Sequence, residues 1–285
     1  MSRTVVVTGA ASGIGAATSH YLRKQGARVI TSDLHDADVI ANLTSLDGRA
    51  ALIEGVFRKS GGAVDAIIAN AGGGPAETSV QLNFFGAVAT LEGLRPLLAQ
   101  SVAPRAVAVS SIGSLFASRA DLVDACLGGN ETAAVMVARR VQDELEAGSA
   151  DAMRVREDIY GNAKLALNRW CRSAATSPAW AGAGINLNVV ALGLYDTPAA
   201  RFVLSNPERR APMKDMTPLR DAFPGRPEHA AALLAWLTSA ENTQLTGQVL
   251  FADGGFECRL RNAAHMSETD KVLSSSDLVG ARAAG

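Results

Sequence analysis

Residues 4–15 read TVVVTGAASGIG. Three valines between two threonines favour an extended chain and leave no polar face, so they predict a strand buried on both sides. Gly9, Gly13 and Gly15 fall where the chain must then turn, and Ile14, Ala17, Tyr21 and Leu22 recur at the spacing of one helix face. A buried strand passing through a glycine turn into a helix opens a βαβ unit. In such a turn the backbone of Gly9, Ser12, Gly13, Ile14 and Gly15 approaches a pyrophosphate, whose charge is stabilised by free N–H groups at the helix N-terminus. A tight turn alone would use the same glycines; their place between strand and helix favours the dinucleotide.

The pattern repeats along the chain. RVITS (28–32), AIIAN (66–70), AVAVS (106–110), NLNVVA (186–191) and QVLFA (248–252) are short apolar runs separated by helical patterns. They predict an α/β fold, a Rossmann-type doubly wound parallel sheet in a single domain over residues 1–257. Two stretches break the rhythm. Between about 113 and 157 no strand appears, and Ala134, Val137, Ala138, Val141 and Leu145 mark a helix that Gly148 ends, so a helical insertion is expected there. Residues 258–285 are polar and Ser-rich, which predicts a loosely held tail.

Composition narrows the function. With 285 residues and 48% hydrophobic content the chain buries a large core. Its 27 basic and 28 acidic residues nearly cancel without a basic stripe, which argues against nucleic acid. Cys126, Cys171 and Cys258 are odd in number and lack ligand spacing, so neither a disulfide framework nor a metal site is expected. The N-terminus reaches glycine too early for a signal peptide, and AAALLAWL is too short to span a bilayer, so no membrane association and a cytoplasmic location are expected.

Asp33 ends the second run, where a carboxylate accepts hydrogen bonds from both hydroxyls of an adenosine ribose and repels a ribose phosphate. Leu34 and His35 follow it with no adjoining Arg or Lys, so NAD is expected over NADP. A turn aspartate is the plainer alternative. In DIYGNAKLAL (158–167), Tyr160 and Lys164 stand one helical turn apart and project into the same space. With three tyrosines and five lysines in the chain, that spacing alone is a weak signal.

Taken together, these stretches resemble the short-chain dehydrogenases/reductases over residues 4 to about 256. TGAASGIG matches the family's TGxxxGxG turn, Asn70-Ala71-Gly72 its NAG, Asn83 its helix asparagine, Ser111 its strand-end serine, Tyr160 and Lys164 its YxxxK, and Asp253-Gly254-Gly255 its DGG. The resemblance implies that Tyr160 is the general acid/base and that Ser111 bonds the substrate oxygen. Lys164 would lower the phenol's pKa by about 1–3 units and hold the nicotinamide ribose. Asn83 would bind a water behind Lys164. The cofactor would further meet Asn42, Leu43, Asn70, Ala71, Gly72, Gly193, Tyr195 and Thr197.

The chain departs from the family pattern in places. Leu192-Gly193 replaces Pro-Gly, Tyr195 stands where Val or Ile is usual, and Asn42 replaces an aspartate, its carbonyl still able to accept a bond from adenine. Ser111 lies unusually far ahead of Tyr160, and Asn70 unusually close to Asn83. Both spacings, with DADVIANLT, resemble the bacterial 3α-hydroxysteroid dehydrogenase/carbonyl reductase subgroup. An NAD-dependent oxidoreductase of a secondary alcohol or ketone is therefore expected. The brief link GGPAETSVQL and a covering segment over about 194–226, with Leu194, Phe202, Val203, Leu204, Met213, Met216 and Phe223, suit a bulky apolar small molecule such as a 3α-hydroxysteroid. Another small alcohol, or a catalytically silent NAD-binding regulator, are the alternatives; a sugar epimerase or dehydratase fits less well. A homodimer is expected through the last strand and helix 228–238, with Trp236 and Leu237 as contacts, because the insertion covers the face on the Tyr160 helix.

Overall fold

A computed structural model of the chain describes residues 2–148 and 152–261. Seven parallel strands form one sheet: β1 (Thr4–Thr8), β2 (Arg28–Asp33), β3 (Val39–Ile40), β4 (Ala66–Ala69), β5 (Arg105–Ser111), β6 (Asn186–Leu192) and β7 (Val249–Ala252). Their order is β3-β2-β1-β4-β5-β6-β7. The chain starts at the centre and winds outward in both directions, which is the doubly wound arrangement expected. Two-residue β3 is absent from the apolar runs because Ile40 is exposed and the segment is too short to carry a period.

Each face of the sheet carries its own core. Helix α1 (Gly13–Lys24) and helix α9 (Pro227–Leu237) cover one, where Val5, Val7, Ile68 and Val107 pack with Leu22, Leu234 and Leu237. On the other lie α2 (Leu46–Ser60), α3 (Ala87–Leu98) and the 24-residue α6 (Ala152–Ala175), over Val6, Ile67 and Ala106. Side chains of β1 therefore alternate between two buried surfaces, which is why TVVVT shows no polar face.

The insertion holds two helices, α4 (Ala120–Leu127) and α5 (Glu131–Ala147), one more than the sequence pattern indicates. Leu122, Val123 and Cys126 of α4 join Ala134, Ala138 and Val141 of α5 and Val155 and Ile159 of α6 in the same core. Helix α5 ends at Gly148 as expected, but with φ −78°, so the glycine's access to left-handed conformations is not used. Because α6 already begins at Ala152, residues 152–157 belong to the helix of Tyr160 and not to the insertion. Between Asp215 and Pro227 the chain is irregular, and α7 (Arg201–Leu204) and α8 (Pro207–Asp215) form the covering segment. A last helix, α10 (Phe256–Leu260), extends past the expected domain limit; the expected polar tail from 262 onward lies outside the described residues. Among the described residues no helix is long and apolar enough to cross a membrane.

One ion pair locks the insertion to the sheet's opposite half. Arg49 of α2 has its side chain 7% exposed and meets Glu131 of α5 through both terminal nitrogens, at 2.6 and 2.8 Å. Its Nε donates to Leu43 O (2.8 Å) and Nη2 to Gln81 O (3.0 Å), so the guanidinium also ties two further segments together. Glu131→Ala leaves that buried cation without a counter-charge and is expected to lower stability by about 2 kcal/mol, less than for a wholly buried pair because Glu131 keeps contact with water. Urea denaturation of variant and parent measures it.

Candidate active site

The order β2-β1-β4-β5 makes the connections leave β1 and β4 in opposite directions, and a crevice opens at their C-terminal ends. Thr8 ends β1, and its Oγ1 accepts from the backbone N–H groups of Asn70 and Ala71, both at 3.1 Å. Asn70 Nδ2 donates in return to Thr8 O (2.9 Å) and Gly9 O (3.2 Å). The two loops are thereby held in contact. Gly9 has φ +66°, and a Cβ there would stand 2.8 Å from Ala71 Cα, so only glycine fits. Beyond it Ser12 is extended and gives α1 no side-chain cap, and the helix's first turn has no acidic residue. The first N–H groups of α1 therefore keep their positive potential at the crevice, which suits a pyrophosphate. Thr197 packs against Gly13 from the far side.

Toward the β2 edge, Asp33 accepts from Ala11 N–H through Oδ2 (2.8 Å) and from Leu34 N–H through Oδ1 (2.7 Å), which fixes its carboxylate at the crevice. Asp33, Asn42 and Leu43 line one cavity of about 900 Å³ together with Gly9, Ser12, Gly13, Ile14, Asn70, Ala71, Gly72, Gly193, Tyr195 and Thr197. Gly15 sits behind this wall, where a Cβ would stand 2.0 Å from Gly9 O; its part is to let α1 approach the turn. The Asn42 side-chain carbonyl accepts from Thr44 N–H (3.1 Å) and Thr44 Oγ1 (2.8 Å). These bonds form a local turn that leads into α2 and fix the Asn42 side chain at the cavity wall.

Ser111 ends β5, and Tyr160 and Lys164 face it from α6. A Cβ on Gly113 would stand 3.3 Å from two Tyr160 ring carbons and 3.4 Å from Ser111 Oγ, so serine and tyrosine meet across a glycine. Burial pushes the Tyr160 phenol above its ordinary pKa, opposed by a hydrogen bond with Ser111 and by the charge of Arg156. Lys164, 2% exposed, donates from Nζ to Val109 O at 2.8 Å and stands 5.7 Å from the Tyr160 ring centroid. Burial pushes its ammonium down to about 8. Arg156 thus adds a second cation near the phenol, beside the Lys164 that the YxxxK resemblance implies.

Asn83 lies on a wide turn of π-helix, Gln81–Gly86, ahead of α3. Its Oδ1 accepts from Gly73 N–H (2.9 Å), and Nδ2 donates to Gly73 O (2.9 Å) and Ser79 O (2.9 Å). The side chain is tied to the loop after Gly72. It still borders Lys164: a Cβ on Gly72 would stand 2.9 Å from Asn83 Oδ1 and 3.1 Å from Lys164 Nζ. Tyr195 lines the cavity, its Oη donating to Ala252 O (3.1 Å) and its ring lying against Gly225.

On the substrate side the cavity wall takes Leu194, Phe202, Val203 and Met213 from the covering segment, with Leu82 and Phe116 opposite; Leu204, Met216 and Phe223 do not reach it. Leu237, expected at a subunit contact, is fully buried in the core, while Trp236 is 43% exposed. Sequence reading passed over Thr8, whose place at the strand end marks it, and Arg156, which stands at the same four-residue spacing before Tyr160 as Lys164 stands after it.

A family profile described as short chain dehydrogenase matches residues 3–123, and one described as Enoyl-(Acyl carrier protein) reductase matches 145–257. A 3-alpha-hydroxysteroid dehydrogenase/carbonyl reductase of Comamonas testosteroni is 30% identical over 263 residues, 90% of this chain and 97% of its own. A cis-4-hydroxycyclohexanecarboxylate dehydrogenase of Sinomonas cyclohexanicum is 29% identical, over 89% of this chain and 96% of its own. Among solved structures, a 3-alpha-hydroxysteroid dehydrogenase from Pseudomonas sp. B-0831, complexed with NADH, superposes with a TM-score of 0.79 at 30% identity, over 90% of this chain and 98% of its own.

The buried lysine makes stability depend on pH. Its folded pKa of about 8 lies below the unfolded value of 10.5, so the fold disfavours the charged form. The full cost is present below pH 8 and is relieved as pH rises to 10.5, a change of roughly 3 kcal/mol at most. Relative to the parent, Lys164→Met should accordingly be most stable near pH 7 and lose that advantage between pH 8 and 10.5 in paired denaturation curves. A difference that stays flat with pH would place the lysine's proton elsewhere.

Proposed function

The chain belongs to the short-chain dehydrogenase family and is an oxidoreductase of alcohol and ketone groups; we propose that it uses NAD and acts on a bulky, largely apolar alicyclic alcohol or ketone. The observation that carries this reading is the meeting of Ser111 and Tyr160 in a cavity that Leu82, Phe116, Phe202, Val203 and Met213 also line and whose inner corner holds Lys164.

The crevice fits a nicotinamide dinucleotide by its uncapped α1, the close approach at Gly9 and the fixed Asp33 carboxylate. That group supplies or accepts the hydride. Ser111 Oγ donates to the substrate oxygen and holds the carbinol carbon in place. Tyr160 Oη takes the hydroxyl proton in oxidation and returns it in reduction, so its proton is transferred only in the chemical step. Lys164, whose ammonium already donates to Val109 O, would hold the nicotinamide ribose. Asn83 holds the Gly73 loop beside Lys164.

NAD is favoured because the cations that line the cavity, Arg154, Arg156 and Lys164, all lie on α6 and none stands beside Asp33 to pair with a 2′-phosphate. The alicyclic substrate is supported by Leu82, Phe116, Phe202, Val203 and Met213, each able to pack against a ring system at about 0.8 kcal/mol per buried CH₂. The names of two relatives above point the same way. A homodimer through α9 fits the exposed Trp236, with α4 and α5 covering the outer part of α6.

Tyr160→Phe is expected to abolish turnover while NADH affinity, read by fluorescence titration, stays within about threefold. Retention of more than a small fraction of the rate would remove the phenol from the chemistry. Parent kcat/KM should favour NAD over NADP at least tenfold, and Asp33→Ala should narrow the gap. Specificity constants should also rise from cyclohexanol through decalols to 3α-hydroxysteroids, and a falling series sinks the bulky-substrate reading.

A further inference from the structure

Arg156 stands one helical turn before Tyr160 on α6, so both side chains leave the same face about 6 Å apart along the axis. Two anchors fix its guanidinium. Nε donates to Gly74 O at 3.0 Å, and the group lies over the Phe202 ring with Cζ 4.6 Å from the centroid. Gly74 belongs to the loop behind the NAG segment, and Phe202 to α7 in the covering segment. The arginine thus spans the mouth of the cavity between its two walls, and it lines that cavity itself.

An arginine has five N–H donors, and Gly74 takes one. Among the described residues no acceptor is bonded to Nη1 or Nη2, and Arg156 forms no ion pair, although Arg49, Arg119 and Arg140 all do. Nearby carboxylates are otherwise placed: Asp158 accepts from Asn162 Nδ2 at 2.9 Å, and Glu157 is exposed. What remains is a planar cation held by an aromatic face and a carbonyl, half-buried, with the donor edge that pairs with a carboxylate left unused. Holding the side chain in place beforehand reduces the entropy lost when an anion binds.

We propose that Arg156 is a specificity-determining residue that binds a carboxylate on the substrate, so that the enzyme acts on alicyclic hydroxy or keto acids whose acid group lies roughly one ring away from the carbinol carbon. The proposal rests on the alcohol/ketone reading above and narrows it: apolar walls take the carbon skeleton, Ser111 and Tyr160 take the reacting oxygen, and Arg156 takes the far end. An arginine serving only to pin α7 to the Gly74 loop would be indifferent to the charge of the ligand.

The test compares 4-oxocyclohexanecarboxylate with its carboxamide as substrates. Cyclohexanecarboxylate and cyclohexanecarboxamide serve as non-reacting ligands of the NAD complex, with binding read from the quenching of tryptophan fluorescence. The parent should take the acid in each pair at least tenfold better. Arg156→Gln should raise KM and Kd for the acid tenfold or more while the amide stays within twofold, and Arg156→Lys should restore part of the difference. Arg169→Gln, which changes an exposed cation of α6 outside the cavity, should leave the discrimination in place. Equal affinity of the parent for acid and amide, or equal losses of both in Arg156→Gln, overturns the proposal. If the ligands discriminate as expected but none of the ketones is reduced, the carboxylate site stands and the alcohol/ketone reading falls.

Discussion

The hydroxyl of Thr8 receives two backbone N–H groups, from Asn70 and Ala71, and the geometry of the site depends on that junction. It joins the ends of β1 and β4 at the point where the sheet's connections diverge, so the glycine turn and the NAG loop form one surface. Asn70 completes the junction by donating back to Thr8 and Gly9. With the loops held in this way, Gly9 lies against Ala71, Gly15 against Gly9, and Gly72 against Lys164 and Asn83. A side chain at any of these glycines would push the junction open. The cofactor crevice and the corner that holds the lysine therefore share a single origin.

Helix α6 carries the other half. A Cβ on Gly161 would stand 2.6 Å from Gly113 O, so the helix approaches the end of β5 at a distance only glycine permits, and Tyr160 consequently meets Ser111. Asn162, between Tyr160 and Lys164, is fully buried; it accepts from Arg119 N–H (2.9 Å) and donates to Asp158 (2.9 Å), which ties the helix to the segment that opens the insertion. The insertion therefore supports the helix of Tyr160 as well as covering it. Through Glu131 and Arg49 the same insertion also reaches Leu43 at the adenosine end of the crevice.

How much of this was legible beforehand follows from what kind of signal each residue leaves. TVVVT and the later apolar runs are visible because a strand buried on both faces admits almost nothing polar, and the glycine turn is visible because close backbone contacts exclude side chains. Tyr160, Lys164 and Ser111 are legible through the family resemblance, the four-residue spacing alone being a weak signal. Side-chain partners left no such trace. Nothing in the sequence says that the Asn83 amide is taken by Gly73, that Asn42 closes on Thr44, or that Tyr195 reaches Ala252, because each depends on a bond between loops whose paths the sequence does not determine. Leu237 was placed at the surface for the same reason: an apolar helix end reads alike whether it faces a partner or its own core, and here it faces the core.

The electrostatics of α6 tie these threads together. Lys164 carries the depressed pKa of a buried ammonium, and its one strong protein partner is a neutral carbonyl. Tyr160 is pushed the opposite way by the same burial, so the fold keeps the proton on the phenol and weakens the lysine's hold on its own. A chain selected for stability alone would place apolar groups at both positions. A buried lysine one turn from a tyrosine that meets Ser111 is the kind of arrangement in which charge is placed for a reaction. Arg156 extends the arrangement outward by one turn. Its charge reaches the phenol from the solvent side, where a bound carboxylate would weaken that field and let the phenol hold its proton more firmly. An anionic substrate would therefore alter the acidity of the group that serves it, and binding at the cavity mouth would be felt at the reacting oxygen.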